Sequence, residues 1–213
     1  MKILMLVNWK VLSCKETPND KQPPDYRVEG EPYWFYRYFN QKDDVDIIDI
    51  SSVSWLENFE REKLRFYVLQ ALKAIPKLHK YDLIVSHGMQ SAVVVCLYRR
   101  FFRGKEKHIV FDIGSFNSAA ESGSALKLMQ FASRSIDGLI YHTSAQHAYY
   151  EKFFPWLVEK SQFVRFGTDG VFWKKETDSK EEMKDAAAVE NSSVPYILCV
   201  GYIKRDWDTL YRA

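Results

Sequence analysis

The sequence predicts an α/β fold, a doubly wound parallel sheet covered by helices on both faces. Two observations predict it. Short apolar runs of strand length recur along the chain, and a stretch with helical character separates each run from the next. Because a helix between consecutive strands requires a crossover, and such crossovers are right-handed, the strands should be parallel and buried on both sides.

The elements follow in order. The first strand occupies 3–7, and the polar residues after it end the apolar run too soon for a signal peptide. The other strands centre on Ile47, Ile84, Val110, Ile140 and Val164. Helical stretches are predicted at 33–39, 57–78, 91–102, 125–132 and 145–154. The stretch 57–78 has apolar residues at helical spacing and is predicted as one long charged helix.

Composition narrows the class of protein. With 213 residues, the chain can bury one α/β core and an appendage. The 30 basic residues are balanced by 28 acidic ones, which gives no electrostatic footprint for nucleic acid. No apolar run approaches the ~18 residues of a membrane span. Cys14, Cys96 and Cys199 are widely spaced, which predicts free thiols in a reducing cytoplasm and no metal site.

The organisation predicted is one complete domain and the beginning of another. Residues 1–173 hold the alternating pattern, and 174–194 form a charged, Ala-rich linker. A new strand at 196–201 and a helix from 205 then open a second domain over 195–213. We therefore expect a truncated protein in which any site between two domains is incomplete.

Ligands of such sheets bind beyond the carboxyl ends of the strands. The loop after the first strand, 8–31, is long and lacks the GxGxxG pattern, which disfavours a dinucleotide cofactor. Near its end, Gly30 and Glu31 precede Pro32. They are either the start of a helix with proline in its first turn or part of a ligand-binding loop.

Two further loops carry titratable residues. His87 ends the third strand and either transfers a proton or binds a sugar hydroxyl, or it is a helix-entry histidine bonded to nearby backbone. Asp112 ends the fourth strand and either acts as a base or hydroxyl ligand, or satisfies loop amides. Gly114 and Ser115 follow it and let backbone N–H groups approach a ligand.

The loop after the fifth strand brings His142, Thr143 and Ser144 to the start of a helix. A hydroxyl at this position serves as an N-cap, which explains Thr143 or Ser144 without any ligand.

Four short motifs stand in order between 139 and 210. The strand and loop LIYHTS at 139–144 are followed by FVRFGTD at 163–169, with Phe172 shortly after. ILCVG at 197–201 and RDWDTL at 205–210 then follow. These motifs and their order resemble the family 4 retaining glycosyltransferases, and by the order of its elements nearly the whole chain resembles that family. In that family the first domain ends in a strand and an xNGVDxxxF turn, and a linker leads to VG, basic residues and a helix. The turn here, FGTDGVF at 166–172, is a variant of that pattern.

The resemblance implies a GT-B architecture, in which two Rossmann-like domains face each other across a cleft. The first domain would receive the acceptor and the second the nucleotide sugar. Arg205 matches a basic residue that binds the donor diphosphate, while Tyr202 and Gly114 replace a family Arg and His. We assign Gly30 with Arg205 to donor binding.

The other assignments follow the same division. His87 and Asp112 are the catalytic candidates, and the acceptor-side loops carry Glu31, Ser115, His142 and Ser144. The nucleotide sugar is a substrate, so no cofactor and no metal are expected. The acceptor is a carbohydrate or a lipid-linked molecule, and the parent enzyme is cytoplasmic, with peripheral contact to the inner face of the membrane as a further expectation. The chain alone should be inactive.

Two rival functions stay open. A nucleotide-sugar epimerase of GT-B type shares the two-domain plan. A non-enzymatic flavodoxin-like binding module would need only the first domain, and the second strand and helix would then be unexplained.

One surface segment is a candidate membrane contact. Residues 98–105 place Arg99, Arg100 and Arg103 beside aromatic side chains. The alternative is a helix C-terminus whose cations complement the helix dipole.

Overall fold

The computed structural model describes residues 1–39, 43–51, 54–64, 66–102, 104–114 and 121–165. The predicted linker, the predicted start of a second domain, Ser115 and Arg205 lie outside these ranges. The strands of the described part are β1 (Lys2–Leu6), β2 (Leu12–Cys14), β3 (Tyr26–Val28), β4 (Asp44–Ile48), β5 (Leu83–His87), β6 (Lys107–Asp112), β7 (Gly138–Tyr141) and β8 (Ser161–Phe163).

Six of these strands form one sheet in the order β4-β1-β5-β6-β7-β8, and every neighbouring pair is parallel. The predicted doubly wound α/β fold is confirmed. Five of the six predicted strand centres lie inside strands, and Val164 lies one residue beyond β8 with its N–H donated to the Tyr141 carbonyl at 2.9 Å.

The α-helices of the described part are α1 (Ser54–Phe59), α2 (Val68–Ala74), α3 (Met89–Phe101), α4 (Ser124–Ser133), α5 (Ser144–Phe153) and α6 (Pro155–Val158). They lie between the strands as the crossovers require. None of the described helices combines the length and apolarity needed to cross a bilayer. The core strands are apolar on both faces because helices cover both sides of the sheet.

The prediction of one helix over 57–78 is wrong. After α1 the chain makes a π-helical segment, Glu60–Leu64, and α2 then ends in a 3₁₀ segment, Ile75–Lys80. Glu60 Oε1 accepts the N–H of Leu69 at 2.8 Å, and so satisfies a donor in the first turn of α2 that has no helical carbonyl to bind. The 3₁₀ segment begins beside a proline, which has no N–H to donate.

The helix predicted over 33–39 is also shorter in the structure, where only Trp34–Tyr36 form a 3₁₀ turn. Arg37 lies over the Trp34 ring at 3.0 Å and donates to the Trp34 carbonyl, which a continuing helix would need for its own backbone. The loop before it contains a two-stranded parallel sheet, β2 with β3, that the sequence did not predict.

Arg99 is the main correction to the predicted surface segment 98–105. Its side chain is 0% exposed, and the guanidinium contacts Glu106 Oε1 at 3.3 Å and Asp137 Oδ2 at 3.0 Å. It also donates to the Ser135 carbonyl at 2.7 Å. Arg99 therefore links α3 to the strands beside it and cannot contact a membrane, whereas Phe101, at 71% exposure, can.

The predicted free thiols agree with the described part of the structure, in which Cys14 and Cys96 are both unpaired. Cys96 is buried, and its sulfur lies 3.6 Å from Nδ1 of the equally buried His108. Burial raises the pKa of the Cys96 thiol to about 12, which keeps it protonated. Cys199 lies outside the described residues.

Candidate functional site

Three predicted site residues meet at the carboxyl edge of the sheet. His87 ends β5, Asp112 ends β6, and His142 follows β7. The strands are adjacent, and the register pairs His87 with Phe111 and Asp112 with Tyr141. Residues far apart in sequence therefore occupy one edge because all the strands point the same way.

The strand order puts the switch point of the sheet between β1 and β5. The chain leaves β1 for β4 on one side and later crosses to β5 on the other side of β1. Ligands of doubly wound sheets bind at such a switch point. Here Asn8, two residues after β1, accepts from His87 of β5, with Oδ1 and Nδ1 3.2 Å apart.

The surroundings of His87 keep its ring neutral. The ring meets Trp9 edge to face at 4.5 Å and lies 6.0 Å from the Phe35 ring. Burial, and secondarily the charge of His142, lower the pKa of His87 to about 4. Because Asn8 Oδ1 accepts the Nδ1 proton, the lone pair of the neutral ring lies on Nε2. His87 is thus suited to accept a hydrogen bond from a ligand hydroxyl.

His142 is held at its ring and at its backbone. Its Nδ1 donates to the Val164 carbonyl at 2.6 Å, and its backbone N–H donates to the side-chain Oε1 of Gln146 at 3.0 Å. A carbonyl oxygen can only accept, so Nδ1 carries a proton in this bond. The ring is half-buried at the sheet edge.

Asp112 is bound within the protein. The residue is buried, Oδ2 accepts from the hydroxyl of Tyr150, and Oδ1 accepts from the Gly114 N–H at 3.0 Å. Burial and the Asp112 charge raise the pKa of Tyr150, so the phenol stays protonated and donates. This favours the structural alternative for Asp112, a carboxylate that satisfies a loop amide and anchors α5.

Sequence reasoning missed Gln146. Its Oε1 accepts from the backbone N–H groups of His142 and Thr143, and its Nε2 donates to the Asp112 carbonyl at 2.8 Å. One amide therefore joins the ends of β6 and β7 beneath the candidate site. The signal was present, since Thr143 followed three residues later by Gln146 is the pattern of a capping box.

Thr143, and not Ser144, caps α5, because the Thr143 hydroxyl accepts the Gln146 N–H. Ser144 is the first helical residue and is exposed, so its hydroxyl is accessible at the carboxyl edge.

Gly30 and Glu31 lie in the loop after β3. Gly30 has a φ of +83°, which only glycine adopts without strain, and the Glu31 N–H donates to the Val28 carbonyl at 3.3 Å. These bonds form a turn, and Glu31 faces a cleft of about 250 Å³ together with Arg27, Trp34 and Arg37.

Metal ligands were not predicted. Across the described ranges, no group of three or more His, Cys, Asp or Glu side chains is placed to hold a metal ion.

Comparison with known proteins gives the fold. No protein-family model and no curated protein matches the chain. Among solved structures, Alr3699/HepE from Anabaena in complex with UDP and glucose matches with a TM-score of 0.50 and 14% identity, over 90% of this chain and 51% of that one. The same protein in complex with UDP matches with a TM-score of 0.49 and 15% identity, again over 90% and 51%.

The chain thus spans about half the length of the solved protein that it resembles. At this identity the likeness concerns the fold. It supports a Rossmann-like α/β domain of GT-B type, and it does not extend to family 4 or to the stereochemistry of transfer.

Proposed function

We propose that this chain is the acceptor-side part of a glycosyltransferase that moves a sugar from a nucleotide-sugar donor to an acceptor hydroxyl. The observation that carries the proposal is His87, a neutral histidine held by Asn8 at the switch point of the sheet. The fold likeness to a protein solved with UDP and glucose supports it. Membership of family 4 and retention of anomeric configuration rest on the order of motifs at 139–210.

The proposed role of His87 is to orient the acceptor. In the transfer, the acceptor oxygen forms a bond to the anomeric carbon, the nucleoside diphosphate leaves with the bonding electrons, and the acceptor hydroxyl loses its proton. A histidine with a pKa of about 4 holds a proton weakly at neutral pH, but its Nε2 accepts a hydrogen bond well. His87 therefore aligns the hydroxyl oxygen for attack, and the departing diphosphate, which leaves with the bonding electrons, takes up the proton.

Other groups complete the proposed acceptor side. His142 and Ser144 line the same carboxyl edge and offer further polar contacts to the acceptor. Asp112 acts as a positioning residue, because its carboxylate holds the loop that follows β6 and holds Tyr150 of α5. Ser115 remains a predicted acceptor-side residue outside the described ranges.

The donor side is a proposal from the resemblance. Arg205 would bind the diphosphate, and a helix N-terminus and a cation are the groups that best stabilise its developing negative charge. No metal or cofactor is invoked. Gly30 lies in a turn at a separate cleft from His87, so its assignment to the donor stays a prediction.

The experiment is a transfer assay on the protein that carries both halves. His87→Ala should lower kcat/KM for transfer roughly tenfold, the effect of losing one hydrogen bond of about 1.5 kcal/mol, while donor binding measured by calorimetry stays unchanged. The matched control is His79→Ala, since His79 is exposed on the 3₁₀ segment before β5, at the opposite edge of the sheet. Equal transfer by the two variants would refute the role of His87.

Product analysis separates the rival functions. A nucleotide sugar that changes configuration without any acceptor would identify the GT-B type epimerase instead. Binding of a ligand with no turnover in the presence of acceptors would favour the non-enzymatic module. Transfer of radiolabel from the donor to an acceptor is the expected result.

A cytoplasmic location with peripheral membrane contact belongs to the same proposal. The exposed Phe101 and Phe131 rings lie 6.0 Å apart on α3 and α4, and Arg100 lies over Phe131 at 4.9 Å. Aromatic rings beside cations suit the interface of an anionic membrane.

A further inference from the structure

A second candidate site lies in the long loop after β1, around Arg27. Arg27 sits in the middle of β3, paired in register with Ser13 of β2. It borders two clefts. One, of about 250 Å³, is shared with Glu31, Trp34 and Arg37. The other, of about 200 Å³, is shared with Ser13 and with Asp49 at the end of β4.

The Arg27 guanidinium has no ion pair and no hydrogen bond to any other part of the chain that the structure describes. The residue as a whole is half-buried. The buried Arg99, in contrast, binds two carboxylates. A guanidinium presents a rigid fork of donors that matches the two oxygens of a carboxylate or phosphate group.

Neither carboxylate beside Arg27 forms an ion pair with it. Asp49 is engaged elsewhere, because it accepts from the N–H groups of Val11 and Ser51 and from the Ser51 hydroxyl. Glu31 borders only the larger cleft, where Arg37 supplies a second cation. Arg37 is held there by stacking on Trp34, which fixes its charge in place.

We propose that Arg27 recognises an anionic group, a carboxylate or a phosphate, on a sugar bound in these clefts. Each cleft is smaller than the roughly 300–1,000 Å³ of a pocket for a drug-sized ligand, so it fits one sugar residue of a larger acceptor. Tyr26 lines the larger cleft and offers its ring to a sugar face, and Arg27 selects the acidic substituent. The identification of the ligand as a sugar rests on the proposed function, whereas the binding of an anion at Arg27 does not.

The test is direct binding to the 213-residue chain, followed by calorimetry or by ligand-observed NMR. The probes are D-glucuronate, D-glucose 6-phosphate, inorganic phosphate and D-glucose. The first two separate a carboxylate from a phosphate source, and glucose reports the contribution of the ring alone. The expected result is that at least one anionic sugar binds roughly tenfold or more tightly than glucose.

The variants are Arg27→Gln, which removes the charge, and Arg27→Lys, which keeps the charge without the fork. Arg27→Gln should weaken the anionic sugar roughly tenfold or more, and Arg27→Lys by less. The matched control is Arg134→Gln at the end of α4, at the opposite edge of the sheet, which should bind the probes as the original chain does. Far-UV circular dichroism confirms that each variant is folded.

Three outcomes would overturn the proposal: glucose binding as tightly as the anionic sugars, Arg27→Gln binding like the original chain, or no binding of any anionic probe. Because the readout needs neither a donor nor transfer, it stands apart from the transfer assay. If the unmutated protein binds the anionic probe but transfers no sugar, the proposed function is refuted and the Arg27 site stands.

Discussion

Loss of the hydroxyl should lower the free energy of unfolding at one of two neighbouring tyrosines of α5 and leave it nearly unchanged at the other. Tyr150 is 0% exposed and donates to the buried carboxylate of Asp112. The hydroxyl of Tyr149 is also buried, but it has no hydrogen-bond partner within the part of the chain that the structure describes. Tyr→Phe at each position removes one oxygen and leaves the ring in place, so the pair isolates the value of the hydrogen bond.

The magnitude follows from the charge of the acceptor. A hydrogen bond to an ionised group contributes about 1.5–3 kcal/mol, and Tyr150→Phe leaves Asp112 with one donor fewer in a buried position. The ring contact with Tyr141, at 5.7 Å between centroids, is kept. Tyr149→Phe removes a buried hydroxyl that is not compensated, so its effect on the free energy of unfolding should be close to zero or slightly favourable.

The assay is urea unfolding at neutral pH, followed by circular dichroism, with thermal unfolding as a second measurement. For a chain of this size the Tyr150→Phe variant should lose roughly 3–12 °C in Tm, and Tyr149→Phe should lose none. A double-mutant cycle with Asp112→Asn then measures the coupling between the phenol and the carboxylate. Equal stability of the two Tyr→Phe variants would refute the assignment of Asp112 as an anchored carboxylate.

Two further predictions concern pH and membranes. The free energy of unfolding should decrease as the pH falls from about 6.5 towards 4, because burial lowers the pKa of His87 to about 4 and that of His108 to about 3, so the unfolded chain binds protons that the folded chain does not. The midpoint of urea unfolding, measured across this pH range, tests the prediction, and an unchanged midpoint would contradict it. In the His87→Gln variant the midpoint should depend less on pH. The protein should co-sediment with vesicles of anionic lipid. The variant that combines Phe101→Ser with Arg100→Gln should stay in the supernatant. Retention of that variant, or equal binding to uncharged phosphatidylcholine vesicles, would exclude this surface as the contact.

Local pattern was sufficient for the elements of the sheet. The apolar runs around Ile3, Ile47, Ile84, Val110 and Ile140 all became strands of one parallel sheet. A strand buried on both faces needs a continuous apolar run, and this requirement is visible in a few consecutive residues. The same pattern placed His87, Asp112 and His142 after strands and therefore at one edge.

Local pattern was not sufficient where a distant side chain competes with the backbone. Where the predicted helix 57–78 is interrupted, Glu60 accepts from Leu69 at the start of α2, a bond that helical spacing does not predict. Arg99 looked like a surface cation, yet its partners Glu106 and Asp137 draw it into the interior. Such contacts depend on which elements pack together.

The sequence by itself determined the fold class, the strands and the edge on which chemistry would be found, because these follow from the periodicity of apolar residues. Only the tertiary structure decided the strand order, and with it the contact between Asn8 and His87, which are 79 residues apart in sequence. It also decided that Asp112 is held by Tyr150 and that Arg27 stands between two clefts. The physical reason is that hydrogen bonds and ion pairs act over a few ångströms in space, and a sequence gives distances only along the chain.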